Sequence, residues 1–319
     1  MSSPADGRLQ SPREPAVETT VGPSGPVYVL VGAALFGTIG TARVLGPSAS
    51  EVSVSAVRMA LAALLLLALA APYGAGSLGA AWRRPSVWVA GVAQASFNVT
   101  FLSAVTTAGV AVGTLVAIGC TPILTGLASR QMSRAWLTAT GLALVGLAAL
   151  LSQGLADGVS LTGVAFALGA SASYATFIVA SSAKGTADLD MQPKLAAIFL
   201  VAALCLSPAL VLSSLGWVAT GSGAAMVAYL AVATTVLAYS LFNRGLRTVS
   251  PGNAATLALV EPLVAALLGV VVVGERLSAV SWVGAGVLLG ALLVMVRMSA
   301  PRGASRQSAG VGHNRKSDL

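Results

Sequence analysis

Two stretches of this chain, Pro85 to Ser129 and Leu195 to Asn243, contain no Asp, Glu, Lys, Arg or His. A helical crossing of a bilayer takes about 20 apolar residues, so each stretch is too long for one span and right for two. Backbone polar groups in lipid must be satisfied within the segment, which makes the α-helix the natural element for such runs. Thr106-Thr107-Ala108-Gly109 supplies a break in the first stretch, and Gly216 to Gly223 one in the second. Composition agrees. Of 319 residues, 56% are hydrophobic and 9% charged, whereas soluble domains carry roughly 25% charged residues. So little polar surface excludes a water-soluble globule.

Charges punctuate the rest of the chain, giving ten expected helices: 27–44, 54–72, 86–106, 109–128, 135–152, 160–180, 194–212, 223–242, 253–273 and 280–297. The same landmarks occur twice, about 140 residues apart. Leu35-Phe36-Gly37-Thr38 recurs as Ser173-Tyr174-Ala175-Thr176, Phe101-x-x-Ala104-Val105-x-Thr107 as Phe242-x-x-Gly245-Leu246-x-Thr248, and Pro122 as Pro262. The expected domains are therefore a first repeat at 27–152 and a second at 160–297. Five spans per copy is an odd number, so the second copy enters the bilayer upside down relative to the first. The expected fold is an all-α integral membrane protein of ten transmembrane helices, two inverted five-helix repeats around a central cavity. Inverted repeats of this kind point to a secondary transporter.

The Pro/Gly/Ser-rich residues 1–26 lack a basic-then-apolar signal pattern and read as a disordered cytoplasmic tail. Residues 298–319 read as a basic cytoplasmic tail. With the amino terminus inside, fifteen of the eighteen Lys and Arg residues fall on the cytoplasmic side, and only Arg43, Arg58 and Arg276 do not. Both termini are thus expected in the cytoplasm, with the body in a bacterial inner membrane; the Ala/Gly/Val-rich body suits a GC-rich genome. Trp82, Trp88, Trp136 and Trp282 near helix ends read as interfacial anchors. The net charge of +8 belongs to loops facing anionic lipid, not to a nucleic-acid surface, because no basic stripe with interleaved aromatics is present.

Cys120 and Cys205 lie in apolar runs and read as helix-packing residues, and the single histidine, His313, lies in the tail. No metal-ligand cluster is apparent, and no cofactor is expected. Gly109-x-x-x-Gly113, Ala165-x-x-x-Gly169-x-x-x-Ser173 and Gly286-x-x-x-Gly290 mark faces where helices approach closely.

Glu261, followed by Pro262, is the deepest acid in the apolar body. A carboxylate in hydrocarbon costs on the order of 2.5–3.5 kcal/mol, so it must face the bundle interior or an aqueous cavity. It is a candidate for exchanging a proton in a coupled antiport cycle. The alternative is a structural role, capping freed backbone groups or pairing with a cation. The proline frees a carbonyl one turn back and favours a hinge or polar pocket. Thr121-Pro122 is the counterpart in the first copy, with the proline but without the acid. Arg58 is the other intramembrane charge; it can pair with Glu51, receive a carboxylate substrate, or snorkel to the outer headgroups. Glu275-Arg276 reads as a solvated pair in a short turn. Phe36, Thr38, Gln94, Asn98, Ser171, Tyr174 and Tyr239 outline a candidate substrate site at mid-depth. Gln94 and Asn98 share one helix face, four residues apart, and either line a cavity or bond neighbouring helices.

The second copy, Glu261-Pro262-Leu263 through Gly274-Glu275-Arg276-Leu277-Ser278 and a glycine-rich helix from Trp282 to Gly290, resembles the EamA-type branch of the drug/metabolite transporter superfamily. In the first copy Thr121-Pro122, a Met132-Ser133 turn and Gly141 to Gly146 correspond, and Arg58 matches a recurrent arginine. Ser129-Arg130 departs from the family's usual Gly-Glu. The resemblance spans residues 27–297. It implies a ten-helix exporter whose cavity is lined by helices one, three, four, six, eight and nine.

The expected function is export of small metabolites, amino acids or related amphipathic solutes first, by alternating access with proton antiport or facilitated diffusion. A multidrug, amine or nucleotide-type exporter of the same fold is the alternative. A membrane-embedded enzyme lacks its polar constellation here, and a non-transporting subunit is the remaining reading. Without a phosphate-binding loop the chain is no ATP-driven pump by itself. The expected partners are a small-molecule substrate and the lipid bilayer; a monomer suffices to enclose a cavity, and a homodimer stays open.

Overall fold

The computed structural model describes residues 25–155, 160–182, 186 and 188–299. Most of the two expected tails, His313 and Lys184 lie outside these residues. The described residues form helices joined by short turns, with no strand among them. The chain runs α1 (Gly25–Gly37), α2 (Ile39–Leu45), α3 (Glu51–Ala70), α4 (Gly74–Trp82), α5 (Pro85–Ala128), α6 (Arg134–Leu150), α7 (Leu161–Ser182), α8 (Met191–Leu212), α9 (Gly221–Ala231), α10 (Ala238–Leu246), α11 (Pro251–Leu257), α12 (Val260–Leu268) and α13 (Ala279–Ser299).

Several of these elements are pieces of one rod. Among the described residues eight helical segments are long and apolar enough to cross a membrane, including Gly25–Leu45, Gly221–Leu246 and Pro251–Val273. Gly221–Leu246 is continued from α9 to α10 by a widened π turn at Val232–Leu237. Thr234 and Thr235 fill that turn, each donating its hydroxyl to the Leu230 carbonyl, at 2.7 and 2.9 Å. α5 has 44 residues, about 66 Å at 1.5 Å per residue, twice the hydrocarbon thickness. It breaks where the sequence places a break. Gly109 has φ 80 and ψ 162, a backbone conformation essentially confined to glycine. A further apolar helix, α6, has 17 residues.

Helix starts follow ordinary capping chemistry. Ser50 accepts from the Ser53 N–H, Ser133 from Trp136 and Thr220 from Gly223, each satisfying an amide without an intrahelical partner. The Met132-Ser133 turn is thus the N-cap of α6. Gly274, with φ 81, ends the segment begun by α11, and the Glu275 N–H donates to the Gly269 carbonyl at 3.0 Å. Glu275 and Arg276 are both exposed but form no ion pair.

The main packing partners lie in opposite halves of the chain. α3 packs on α8, α6 on α13, α7 on both parts of α5, and α1 on both α10 and α12. Small residues make these approaches close. A Cβ at Gly146 would stand 2.5 Å from the Leu288 amide nitrogen, and Gly284 meets the α6 backbone around Gly146 and Leu150 in the same way. Gly91 faces Val201, and Gly32 faces Ala238 and Phe242.

Three expectations about packing are corrected. Gly286 and Gly290 meet no neighbour within 4 Å; the packing face of α13 is carried by Gly284, two positions from that motif and on a different face of the helix. Trp136 is 3% exposed and packs against Gly126 and Gly252, so it is a core residue, not an interfacial anchor. Cys205 is exposed on the helix surface and does not serve packing inside the bundle.

Candidate functional site

The site follows from where four helices bring polar atoms into an apolar bundle. α3 delivers Arg58 two turns from its start, and the first part of α5 delivers Gln94 and Asn98 on one face. The Arg58 guanidinium donates through Nη2 to Asn98 Oδ1 at 2.7 Å. Asn98 Nδ2 donates to the Gln94 carbonyl at 2.8 Å, and Gln94 Nε2 donates to the Tyr239 hydroxyl at 2.7 Å. These residues therefore form one chain of hydrogen bonds from α3 through α5 to α10. Arg58 neither pairs with Glu51 nor snorkels outward. Glu51, at the first position of α3, is taken by Arg43, whose Nη2 lies 2.7 Å from Oε1.

Aromatic rings wall this chain. Tyr239 has Phe36 at 4.7 Å, Phe199 at 4.8 Å and Phe177 at 5.3 Å between centroids. Tyr174 lies 5.2 Å from Phe97. The π turn that precedes Tyr239 is a local device of the kind often found at functional sites. Phe97, Phe177 and Phe199 were not singled out from the sequence. Isolated aromatics in apolar helices carry no signal of facing a common point.

Glu261 opens α12 next to Pro262. The proline cannot donate to the Ala258 carbonyl, and the Glu261 N–H donates to it instead at 3.0 Å. The carboxylate is partly exposed and makes no hydrogen bond or ion pair with a described residue. It lies within electrostatic range of Arg58, Tyr174 and Tyr239. The Gly37 face of α1 closes on the α12 backbone here, since a Cβ there would be 2.5 Å from the Glu261 main-chain carbonyl oxygen. Buried polar atoms without a hydrogen-bond partner gather in the same region: Arg58 Nε, Gln94 Oε1 and the Tyr174 hydroxyl. Buried polar groups are ordinarily paired, so a cluster of unpaired ones marks a place where a ligand or water completes the bonding.

Other residues singled out from the sequence lie apart from this centre. Thr121 donates to the Ala117 carbonyl at 2.7 Å and lies 3.3 Å from Ser171 Oγ; both are fully buried in the α5–α7 seam. Thr38 sits between α1 and α2, donates to the Leu35 carbonyl at 2.7 Å and meets the Tyr229 hydroxyl at 2.8 Å. Pro122 lies inside the second part of α5. No group of three His, Cys, Asp or Glu residues that could hold a metal occurs among the described residues.

Residues 161–297 match the EamA-like transporter family. The uncharacterized transporter YwfM of Bacillus subtilis (strain 168) is 35% identical over 285 residues, covering 86% of this chain and 94% of that protein. The threonine/homoserine exporter RhtA of Escherichia coli (strain K12) is 30% identical over 277 residues, 83% of this chain and 89% of that protein. A crystal structure of a protein 20% identical to this one superposes with a TM-score of 0.74, over 86% of this chain and 97% of that one. That likeness concerns the fold alone. With its apolar helices and a relative aligned over most of both chains, this multi-pass membrane protein belongs to the EamA-like transporter family.

Proposed function

We propose that the protein exports small zwitterionic metabolites, amino acids first, by alternating access across a bacterial inner membrane, with both termini in the cytoplasm. The observation that carries this reading is the pair Arg58 and Glu261. They are opposite charges inside an apolar bundle, near enough to feel one another, yet Arg58 bonds to Asn98 and not to the acid. An unpaired buried charge is expensive, so keeping the two apart favours a solute that supplies both counter-charges. A zwitterion does so: its carboxylate meets the guanidinium, its ammonium meets Glu261, and Phe36, Tyr174 and Tyr239 take the apolar part. The name of the relative RhtA, a threonine/homoserine exporter, favours the same substrate class.

A ten-span body with inverted repeats supports the transport cycle. Dividing α5 at Gly109 and counting α6 raises the eight long segments to ten. The packing also respects an exchange of halves. α1 against α10 and α12 has its counterpart in α7 against the two parts of α5, while α3–α8 and α6–α13 map onto themselves. Two such halves can rock about a site between them.

The test is flux of labelled threonine from proteoliposomes. Loss of a charge-assisted hydrogen bond to the substrate carboxylate in Arg58→Gln lowers flux roughly tenfold or more. Equal flux in Arg58→Gln and the parent refutes the zwitterion reading. The aromatic rings around Tyr239 and Tyr174, the two tyrosines within electrostatic range of Glu261, favour one second reading, an exporter of organic amines. That reading predicts amine flux insensitive to Arg58→Gln.

A further inference from the structure

A cavity of about 170 Å³ lies away from the polar centre, between the end of α7, the start of α8 and the end of α10. This is the arginine-rich end of the bundle. The cavity is lined by Lys194, Arg247, Ser181 and Asn243. Lys194 is only 6% exposed. Its ammonium donates to the Ser181 carbonyl at 3.0 Å, an uncharged acceptor for a group with three donors. Arg247 faces the same space from α10, and the two cations act on each other electrostatically. The ion pairs among the described residues are Arg43–Glu51 and Arg84–Asp188, so neither lining cation has a carboxylate partner there. Residues 183–187 contain no acid either. Two further lining atoms are buried and unpaired, Ser181 Oγ and Asn243 Oδ1. Ser181 is 2% and Asn243 1% exposed.

The buried charge of Lys194 without a counter-charge is costly, and an anion bound between it and the exposed Arg247 removes that cost. Phosphate suits two cations and a hydroxyl donor, since its oxygens accept charge-assisted bonds from several directions. A bare phosphate leaves Asn243 Oδ1 unsatisfied, because that atom needs a donor. A phosphate ester of a polyol supplies both. We propose that this cavity binds such an ester: Lys194 and Arg247 hold the phosphate oxygens, Ser181 Oγ donates to one of them, and Asn243 Oδ1 accepts from a hydroxyl of the same molecule. Two sources share this chemistry, a glycerol-bearing anionic lipid headgroup and a free glycerol phosphate. Basic pockets between helices near the membrane surface are established lipid-headgroup sites in other proteins.

The experiment measures binding to the purified full-length protein in detergent by native mass spectrometry and by thermal shift. The probes are phosphatidylglycerol, phosphatidylcholine and glycerol 3-phosphate. Binding of phosphatidylglycerol over phosphatidylcholine assigns the site to lipid, and binding of glycerol 3-phosphate assigns it to the soluble ester. In either case Lys194→Met, which keeps the stem without its charge, weakens binding roughly tenfold. Arg247→Gln weakens it too, and its exposed side chain makes it the arm that stands if Lys194→Met fails to fold. Arg297→Gln, at the end of α13, leaves binding unchanged. Equal binding of phosphatidylglycerol and phosphatidylcholine with none of glycerol 3-phosphate overturns the proposal, as does binding indifferent to both lining substitutions.

Discussion

Thr121-Pro122 and Glu261-Pro262 each set a polar residue before a helix proline, 140 positions apart, and the chain uses that polar residue differently in each. A proline inside a helix leaves a carbonyl without its usual donor. Around Pro122 the helix α5 runs on unbroken; the carbonyl the proline leaves is that of Ile118, while the Thr121 hydroxyl turns inward to the neighbouring Ala117 carbonyl and toward Ser171. Every polar atom stays in the seam. Around Pro262 the rod divides into α11 and α12. Tight three-residue bonds close the gap, from the Leu259 N–H to the Thr256 carbonyl at 3.1 Å and from the Glu261 N–H to the Ala258 carbonyl at 3.0 Å. The Glu261 side chain is thereby released from backbone duty. Thr121 is taken up in the packing of its seam, and the Glu261 carboxylate is left without a hydrogen bond or ion pair among the described residues.

The strongest way to break that comparison is to install the acid in the first half. Thr121→Glu places a carboxylate where the side chain is 1% exposed and bonds only the Ala117 carbonyl and Ser171 among the described residues. A penalty on the order of 3 kcal/mol, added to the lost seam bonds, should leave little folded protein by fluorescence-detected size-exclusion chromatography. Folded Thr121→Glu at parental levels would show the two sites to be equivalent.

Removing the acid from the second half has the next largest effect, and on flux instead of folding. Glu261→Gln should retain parental thermal stability within about 0.5 kcal/mol while zwitterion flux falls roughly tenfold or more. Measured across a pH series, the same variant decides coupling. A pH dependence identical to the parent's removes proton exchange from this carboxyl.

The smallest effects sharpen the comparison through neighbouring glycines. At Gly37 a Cβ would press on the Glu261 carbonyl at 2.5 Å and on Val264 Cβ at 2.9 Å. Gly37→Ala should therefore cost about 1–3 kcal/mol, read as a lowered melting temperature. Near Pro122, a Cβ at Gly119 would meet Leu147 Cδ2 at 3.4 Å, Leu144 Cδ2 at 3.5 Å and Leu115 Cδ1 at 3.9 Å, ordinary contacts with flexible side-chain ends. Gly119→Ala should stay within about 0.5 kcal/mol of the parent. Equal shifts in both would mean that α1 does not clasp α12 as drawn.

Much of the helical layout was legible before any coordinates. The break at Gly109, the turn before Thr220 and the start of α6 at Ser133 all follow from local chemistry, because each is decided by residues a few positions apart. Packing faces were less legible. Gly286-x-x-x-Gly290 has the spacing of a contact motif, yet Gly284 makes the contact with Gly146, and spacing alone does not say which way a helix is turned. Trp136 sits near a helix end as an anchor would, but the space left by Gly126 and Gly252 draws it inside. Of the candidate site, Gln94, Asn98 and Tyr239 could be named for their polarity at mid-depth. The ring wall of Phe97, Phe177 and Phe199 could not, since aromatics are ordinary in apolar helices. Arg58 could be named as an intramembrane charge, but not its partner, because Arg43 reaches Glu51 first.

By itself the sequence determined the membrane class, the succession of helices and their breaks. Lipid offers the backbone no hydrogen-bond partner, so each apolar run must satisfy its own amides locally, and local rules are readable along the chain. Only the tertiary structure decided which side chains meet. Asn98 and Arg58 are 40 positions apart, Thr140 and Thr256 116, Gln94 and Tyr239 145, and no local rule reaches so far. The same long-range packing decided which polar atoms stay unpaired. Among the described residues the Glu261 carboxylate, Arg58 Nε and the Tyr174 hydroxyl have no hydrogen-bond partner, because rigid helices, once docked, cannot bring every donor to an acceptor.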